Sequence, residues 1–509
     1  MKKYIILIFW IVLLGMLQNV KAQGNKIEIL NANTFELETR GKSKVKKLIG
    51  AVKLKQDQTI LSCDSAYLFD ETNFVEAYQN VNINHNDSIN FYGDVLKYDG
   101  NKKIARLEKN VSMVDAASTL KTNELEFDLA NNKASYFSGG TLISGQNELK
   151  SQYGYYYTST RELFFKKGVR LVSPDFSLTS DTLKYQTNSR IAQFYSNTKI
   201  VSTDDTIYCQ SGNYHTEKQT GVFYKRAKIR SAENTLIADT IIYDRKIKYA
   251  KALGNLVIVD TVNRTVILGN KAELFGKEGR SYVTDKPLVV SIVDNDSMMI
   301  WADTIFTFQK RQKQGKDLLK AYRKVRIFKS DMQVVCDSLV YIKSDSMMTL
   351  YHQPVLWSEG NQVTGDTILF YLNNRKLDSM DIRNNSFVIS KETNRHFNQV
   401  KGKNMTALFA NGKISFIKVY GNGQSVYYAK EDSSYIGVNV IDCSEMTFAF
   451  EQGKIKNAKF ITQPDATFYP IDELTPEELR LKGFVWRSKG RPTKQNLKSR
   501  KLYEKGFEF

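Results

Sequence analysis

The chain keeps rewriting one short stretch, and that repetition limits the possible folds more than any composition figure. Gly93-Asp94-Val95-Leu96-Lys97-Tyr98-Asp99 returns as Ser180-Asp181-Thr182-Leu183-Lys184-Tyr185 and as Ala238-Asp239-Thr240-Ile241-Ile242-Tyr243-Asp244. Two more copies are Cys336-Asp337-Ser338-Leu339-Val340-Tyr341 and Gly365-Asp366-Thr367-Ile368-Leu369-Phe370. Each runs small residue, acid, short polar residue, aliphatic, any residue, aromatic. Anchored on the acid, or on whatever replaces it, the copies fall at Asp64, Asp94, Asn123, Gln152, Asp181, Gln210, Asp239, Asn270, Asp303, Asp337, Asp366, Asn404 and Ser444. The spacing is 29 or 30 residues up to Asp239 and loosens to 40 at the end. Thirteen units at a near-constant period predict a stacked, solenoid-like array.

Parity within the unit supplies the local structure. An apolar residue lies three before most anchors (Leu61, Phe91, Leu178, Leu236) and a small one immediately before (Cys63, Gly93, Ser180, Ala238). After the anchor, apolar residues lie two and four on. Odd positions therefore face inward before the anchor and even positions after it. A strand changes face only through an extra residue, so each anchor predicts a bulge or corner. The acid is then expected to accept backbone donors that the corner frees. A second strand of about ten residues, such as Ala105–Met113, completes each unit, and helical periodicity is absent before the tail.

Proline sets the extent of the array. Only Pro174, Pro287 and Pro354 precede residue 460, whereas Pro464, Pro470, Pro476 and Pro492 follow it. Long hydrogen-bonded ladders require such scarcity. The chain accordingly divides into 1–22 as a signal peptide, 23–285 as regular repeats, 286–460 as a looser continuation and 461–509 as a basic, proline-containing tail. Lys2 and Lys3 precede the apolar run Ile5–Leu17, and Val20-Lys21-Ala22 offers a cleavage site. The expectation is an exported, periplasmic protein cleaved near Ala22. The alternative is an uncleaved anchor, although the run is short for a span of about 20 residues.

Without the leader the chain carries 70 basic against 54 acidic residues, a net of +16. In an exported protein that charge points to phosphorylated lipid, anionic glycan or a membrane surface, and not to nucleic acid. The alternative is that lysine keeps exposed strand edges soluble. In Arg40–Lys47, Lys42, Lys44 and Lys46 share one face at period two and are candidate phosphate contacts, or a solvated turn. In the tail, Thr475-Pro476-Glu477-Glu478 reads as a helix start with a capping box. Residues 479–509 hold ten basic and two acidic groups, a docking segment for an anionic surface or a basic appendage.

All four cysteines, Cys63, Cys209, Cys336 and Cys443, immediately precede an anchor. At one strand step of about 4.8 Å per unit, Cys63 and Cys209 lie about 24 Å apart, too far for a disulfide, which needs about 7 Å. Four buried free thiols are expected. His85, His215, His352 and His396 lack zinc spacing, and nucleophile elbows and phosphate loops are absent. Anchors that exchange freely for Asn, Gln and Ser suit a corner, not a catalytic acid. No enzyme activity, cofactor or metal is predicted.

What remains is the interior. The aromatic-rich position four after the anchor and the aliphatic two after it give Leu96, Tyr98, Leu125, Phe127, Tyr156, Leu183, Tyr185, Tyr214, Ile241, Tyr243, Leu339, Tyr341, Ile368 and Phe370. These either fill a core or line a groove. Tyrosine, whose buried hydroxyl needs a partner, suits a groove mouth with the ring towards lipid.

Gly-Asp-x-Leu-x-Tyr-Asp at 93–99, with second strands like Gly254-Asn255-Leu256-Val257-Ile258, resembles the OstA-like (LptA-type) family of periplasmic lipopolysaccharide-transport proteins. The resemblance covers nearly all of residues 24–460. It implies an all-β, elongated antiparallel jellyroll holding lipid A acyl chains in its apolar interior. It also implies partners: other bridge proteins, or the chain itself, joined end to end by β-strand addition, with outer-membrane association through the basic tail. The array is longer than a usual single-domain member and lacks the following barrel strands of the related outer-membrane protein. Two readings compete: a structural or adhesive exported solenoid with a packed interior, and a parallel β-helical enzyme acting on polysaccharide. Two strands per 29 residues and exchangeable acids speak against the second.

Overall fold

The structure, a computed structural model, describes residues 26–494 apart from short stretches at 42, 86–88, 294–295, 310–316, 374–375, 411–412, 433, 452–453 and 472. The leader, Lys42, most of the basic loop 309–316 and the last fifteen residues lie outside the described residues. The protein is all-β and antiparallel. Among the described residues no helix is long and apolar enough to cross a membrane, which leaves β-barrel crossings untouched. Contacts divide the chain into two compact units. Unit 1 is Met1–Thr203 with Gln210–Glu217; unit 2 is Asp204–Cys209 with Lys218–Phe509.

Within unit 1 the repeat is plain in Phe74–His85, Ile89–Asp99, Ile104–Val114 and Thr119–Asp128, each paired antiparallel with the next. Each 29-residue repeat thus adds two strands, a step of about 9.6 Å where the sequence reading allowed one strand step of about 4.8 Å. The predicted parity holds: Phe91 and Leu96 are fully buried and Tyr98 nearly so, and in unit 2 Leu236, Ala238, Ile241 and Tyr243 are all buried.

The corner falls at the anchor. The register between Ile89–Asp99 and Ile104–Val114 shifts between Tyr92 and Val95, and opposite it Lys109 and Asn110 both take positive φ. Paired left-handed residues recur at Gln79-Asn80, Lys225-Arg226, Arg323-Lys324 and Asn384-Asn385. Asparagine tolerates that conformation better than most residues. It also meets the anchor acid: Asn80 Nδ2 donates to Asp64 Oδ2 at 2.8 Å, Asn110 to Asp94 at 2.6 Å and Asn255 to Asp239 at 2.7 Å. At these three corners the acid's partner is therefore a side-chain amide sixteen residues on, where a backbone donor was expected. At Gly254, φ is +76° and an added Cβ would lie 2.6 Å from Asp239 Oδ2, so this corner takes only glycine.

The acid that closes the motif turns the chain at the other end of the strand. Asp99 Oδ1 accepts from the amides of Asn101 (3.1 Å) and Lys102 (3.0 Å), and the Lys102 amide holds the Asp99 carboxyl below its usual range. Asp128 and Asp260 cap their turns in the same way. All four cysteines are buried and free, and burial pushes the Cys63, Cys209 and Cys336 thiols up to about 12.

Two expectations need correction. In the twelfth copy the inward residues are Met405 and Ala407, while Leu408 is exposed. Gly402 takes the small-residue place, with Val419 2.3 Å from where a Cβ would sit, so the anchor is Lys403 and not Asn404. The tail holds no helix among the described residues. Its capping box does form: Glu478 Oε2 accepts from Thr475 N (2.8 Å) and Oγ1 (2.7 Å). One turn closes at Leu479 N to Thr475 O. It stops there because the Leu481 amide is bound by a side chain of the sheet, Gln399 Oε1, at 3.0 Å.

Candidate functional site: an apolar lumen

Each strand runs from one rim, through the corner, to a second rim, so the residue four after the anchor lies at the end of its strand. In unit 1 these residues reach turns about forty residues back. Tyr98 Oη donates to Gln56 Oε1, and Gln56 Nε2 to Gly100 O at 3.0 Å. Tyr156 Oη donates to Asp115 Oδ2 at 2.7 Å; burial, then this bond, raises the phenol's pKa. Where phenylalanine replaces tyrosine, Phe127 meets the edge of His85 at 5.2 Å, and His85 Nε2 lies 3.0 Å from Asn132 Oδ1. Each contact is a clasp between rims. Tyr185 is the exception: its buried hydroxyl has no partner.

Behind the clasps the interior of unit 1 is filled. Tyr156, Tyr185, Tyr214, Phe91, Phe127, Phe165 and Phe194 are among the largest fully buried side chains of the protein. A space of only about 10 Å³ lies beside Tyr98. Eight sequence-chosen residues fall here: Leu96, Tyr98, Leu125, Phe127, Tyr156, Leu183, Tyr185 and Tyr214. They pack and clasp.

Unit 2 begins with the strongest clasp. Tyr243 Oη donates to Asp205 Oδ2 at 2.6 Å, and Arg245 Nη2 lies 2.7 Å from Asp205 Oδ1. The two charged side chains are 4% and 7% exposed. Lys248 adds an ion pair to Asp204 at 3.0 Å. Beyond this point the position four after the anchor becomes Leu274, Thr307, Tyr341, Phe370, Ala407 and Phe448, and a cavity of about 1420 Å³ opens. All six line it, as does Tyr243. The position three before the anchor supplies the facing wall, with Leu236, Ile267, Ile300, Val363, Val400 and Ile441. Of the sequence-chosen residues, Tyr243, Tyr341 and Phe370 thus line the lumen. Ile241, Leu339 and Ile368 are fully buried two residues from their corners, outside the lining.

Sequence reasoning missed the position three before the anchor as lining, although its apolar run was visible. Charged residues of both signs ring the lumen: Lys248, Arg280, Lys329, Lys343, Lys376 and Lys413 stand with Asp204, Asp205, Glu233, Asp260, Asp317, Asp331 and Glu359, and Lys343 Nζ donates to Asn263 Oδ1. Of the candidate phosphate lysines, Lys44 is exposed, Lys46 is ion-paired to Asp70 at 2.7 Å, and Lys42 is not described. Among the described residues no group of three His, Cys, Asp or Glu side chains is placed to hold a metal.

Corner, two-strand repeat and filled or hollow interior define an antiparallel jellyroll repeat protein. The family described as OstA-like protein matches residues 24–181 and 177–264 of this chain. No curated protein is similar enough in sequence to count as a relative. Among solved structures, the chain is similar to the crystal structure of LptH, "the LptA homologous periplasmic component of the conserved lipopolysaccharide transport device from Pseudomonas aeruginosa". That likeness covers 23% of this chain and 83% of the other, at 16% identity and a TM-score of 0.20, too low to carry any argument.

Proposed function

We propose that this protein is an exported carrier in lipopolysaccharide transport that shelters the acyl chains of lipid A in the lumen of unit 2. The observation that carries this reading is the cavity itself. Its roughly 1420 Å³ exceeds the about 300–1,000 Å³ of ordinary small-molecule pockets, and apolar residues from at least six repeats line it. Such a space suits a long hydrocarbon better than a compact metabolite. Among the charged groups of both signs in the lining, Lys343, Lys376 and Lys413 are the proposed contacts for phosphate on the lipid head group. The OstA-like match over 24–264 supports the pathway.

Partners are proposed at the strand edges. Thr34–Arg40 pairs on one side only among the described residues and exposes Phe35 (51%) and Leu37 (72%). An edge with unpaired backbone groups and apolar side chains is a template for strand addition. The packed-solenoid reading keeps one observation in its favour, the filled interior of unit 1. Accordingly the proposal assigns lipid to unit 2 alone and gives unit 1 a structural role.

The test is mass spectrometry of lipid retained by the purified protein, with a photo-crosslinking residue placed at Phe370, Ile300 or Leu183. Lipopolysaccharide should crosslink at Phe370 and Ile300 and not at Leu183. Crosslinks at Leu183 alone, or no retained lipid and no crosslink at any position, would sink the reading.

A further inference from the structure

Three buried glutamines are left over once the corners, clasps and lumen are accounted for. Gln333, Gln362 and Gln399 are 4%, 1% and 2% exposed, one in each of three repeats, and they sit on strands whose neighbouring residues Met332, Val363 and Val400 line the lumen. Strand residues alternate faces, so the glutamines point away from the lumen. There they meet the tail. Gln399 Nε2 donates to Leu479 O, and Gln399 Oε1 accepts from Leu481 N, both at 3.0 Å. Gln362 Nε2 donates to Val485 O at 2.7 Å, and Gln362 Oε1 accepts from Arg487 N at 2.8 Å. Gln333 Oε1 accepts from Arg491 Nε at 2.5 Å.

Two of these amides therefore grip the backbone at residues i and i+2, the pattern by which one strand binds the edge of another. A neutral side chain that reads main chain in this way is indifferent to the ligand's side chains, so selectivity has to come from pockets. These are present. Leu481, Phe484 and Trp486 pack on Phe387, Ile389 and Phe397, with Phe397 5.3 Å from the Phe484 ring and 5.4 Å from Trp486. Leu474, Leu479 and Leu481 pack on Val426, Tyr428 and Val438. Trp357 Nε1 and Lys401 Nζ add bonds to Arg487 O and Lys482 O. The segment makes no strand ladder with the wall; its described bonds there run through side chains.

We propose that the outer wall of unit 2 is a peptide-binding groove for an extended segment with bulky apolar residues and a terminal arginine. Residues 479–491 occupy it as a detachable ligand carried by the same chain. Bonds made by side chains alone let the segment leave as a unit while every strand of the wall keeps its ladder. A segment that were an integral layer of the fold would come away only when the wall unfolds.

Hydrogen exchange on the full-length protein separates these cases. The Leu481 and Arg487 amides should share one exchange rate, at least about tenfold faster than amides of Phe397–Ala410 in the wall. Gln362→Ala should speed both by about 5- to 50-fold, the loss of one or two hydrogen bonds, with the wall unchanged. In a second arm, a fluorescent peptide of residues 477–494 is added to the full chain carrying Trp486→Ala, which weakens the resident segment and leaves the groove intact. The peptide should bind this variant at least about tenfold more tightly than the wild-type chain, and Gln362→Ala added to it should abolish the gain. Strap amides that exchange only at the rate of the wall, or a Trp486→Ala chain that takes up no peptide, would overturn the proposal.

Discussion

Units 1 and 2 share a corner, a parity and a turn, yet one is filled and the other hollow. In unit 1 the residue four after the anchor is Tyr or Phe whenever the rims meet, as at Tyr98, Phe127 and Tyr156. In unit 2, after Tyr243, it becomes Leu274 and Thr307, and the lumen begins. The corner and the alternation specify the fold, and the partner that the strand-end residue finds marks the difference: Tyr98 and Tyr156 bond to a facing turn, whereas Tyr341, Phe370 and Phe448 line the lumen. A tyrosine that meets a facing turn bonds there, as Tyr98 and Tyr156 do; Leu274 is too short and has nothing to offer a polar turn.

The largest effect is expected at the clasp that opens unit 2. Asp205→Ala leaves the Arg245 guanidinium buried without its carboxylate, a change that costs about 3–5 kcal/mol. Urea unfolding followed by hydrogen exchange in Asn234–Asp244 and Tyr249–Asp260 should place the loss in unit 2. A cost under about 1 kcal/mol would mean that this ion pair does not hold the rims together. The matched change in unit 1, Asp115→Ala, orphans the hydroxyl of Tyr156 and the turn donors Ala117 N, Ser118 N and Ser118 Oγ; none of these is charged, and the cost should be about 1–3 kcal/mol.

Cavity creation draws the comparison from the interior. Phe127→Ala removes a ring stacked 4.3 Å from Phe91 in a filled core, and about 3–5 kcal/mol should be lost. Phe370→Ala enlarges a space that already exists, so fewer contacts disappear and the cost should be less than half as large. Equal costs, measured by the same unfolding experiment, would show that the lumen wall is as tightly supported as the core of unit 1.

Much of this was legible in the sequence because it is local. The bulge follows from the parity change at Asp94 and Asp239, and the buried thiols from the small-residue place of Cys63 and Cys209. Asn110 and Asn255, each sixteen residues after its acid, were visible too, but only the folded corner explains the spacing. Filled and hollow repeats have the same parity, so that signal does not separate them, although the spacing loosens beyond Asp239, where the hollow repeats lie. The change from Tyr243 to Leu274 and Thr307 marks where the lumen opens, although aromatics return at Tyr341, Phe370 and Phe448. The tail groove was not legible. Gln333 and Gln362 read as ordinary polar strand residues, and their tail partners, the Arg491 side chain and the backbone at Val485 and Arg487, lie more than 120 residues further on.

The smallest effect uses the cysteines as reporters of the same contrast. Burial raises the Cys63 and Cys336 thiols to about 12, so at pH 8 only about one in ten thousand is thiolate, and the thiolate is the reactive form. A raised thiol pKa keeps the group neutral until the pH approaches the shifted value, so both should resist iodoacetamide at pH 8 in the native protein and react at once in urea. Residual reaction then reports local opening. Cys63 sits in the filled unit and Cys336 in the hollow one, where fewer side chains must part before solvent enters. Cys336 should therefore be alkylated first, by a factor of a few up to about ten. Filling the lumen with retained lipid should bring the two rates together, and a Cys63 that reacts first would reverse the assignment of which unit is the more firmly closed.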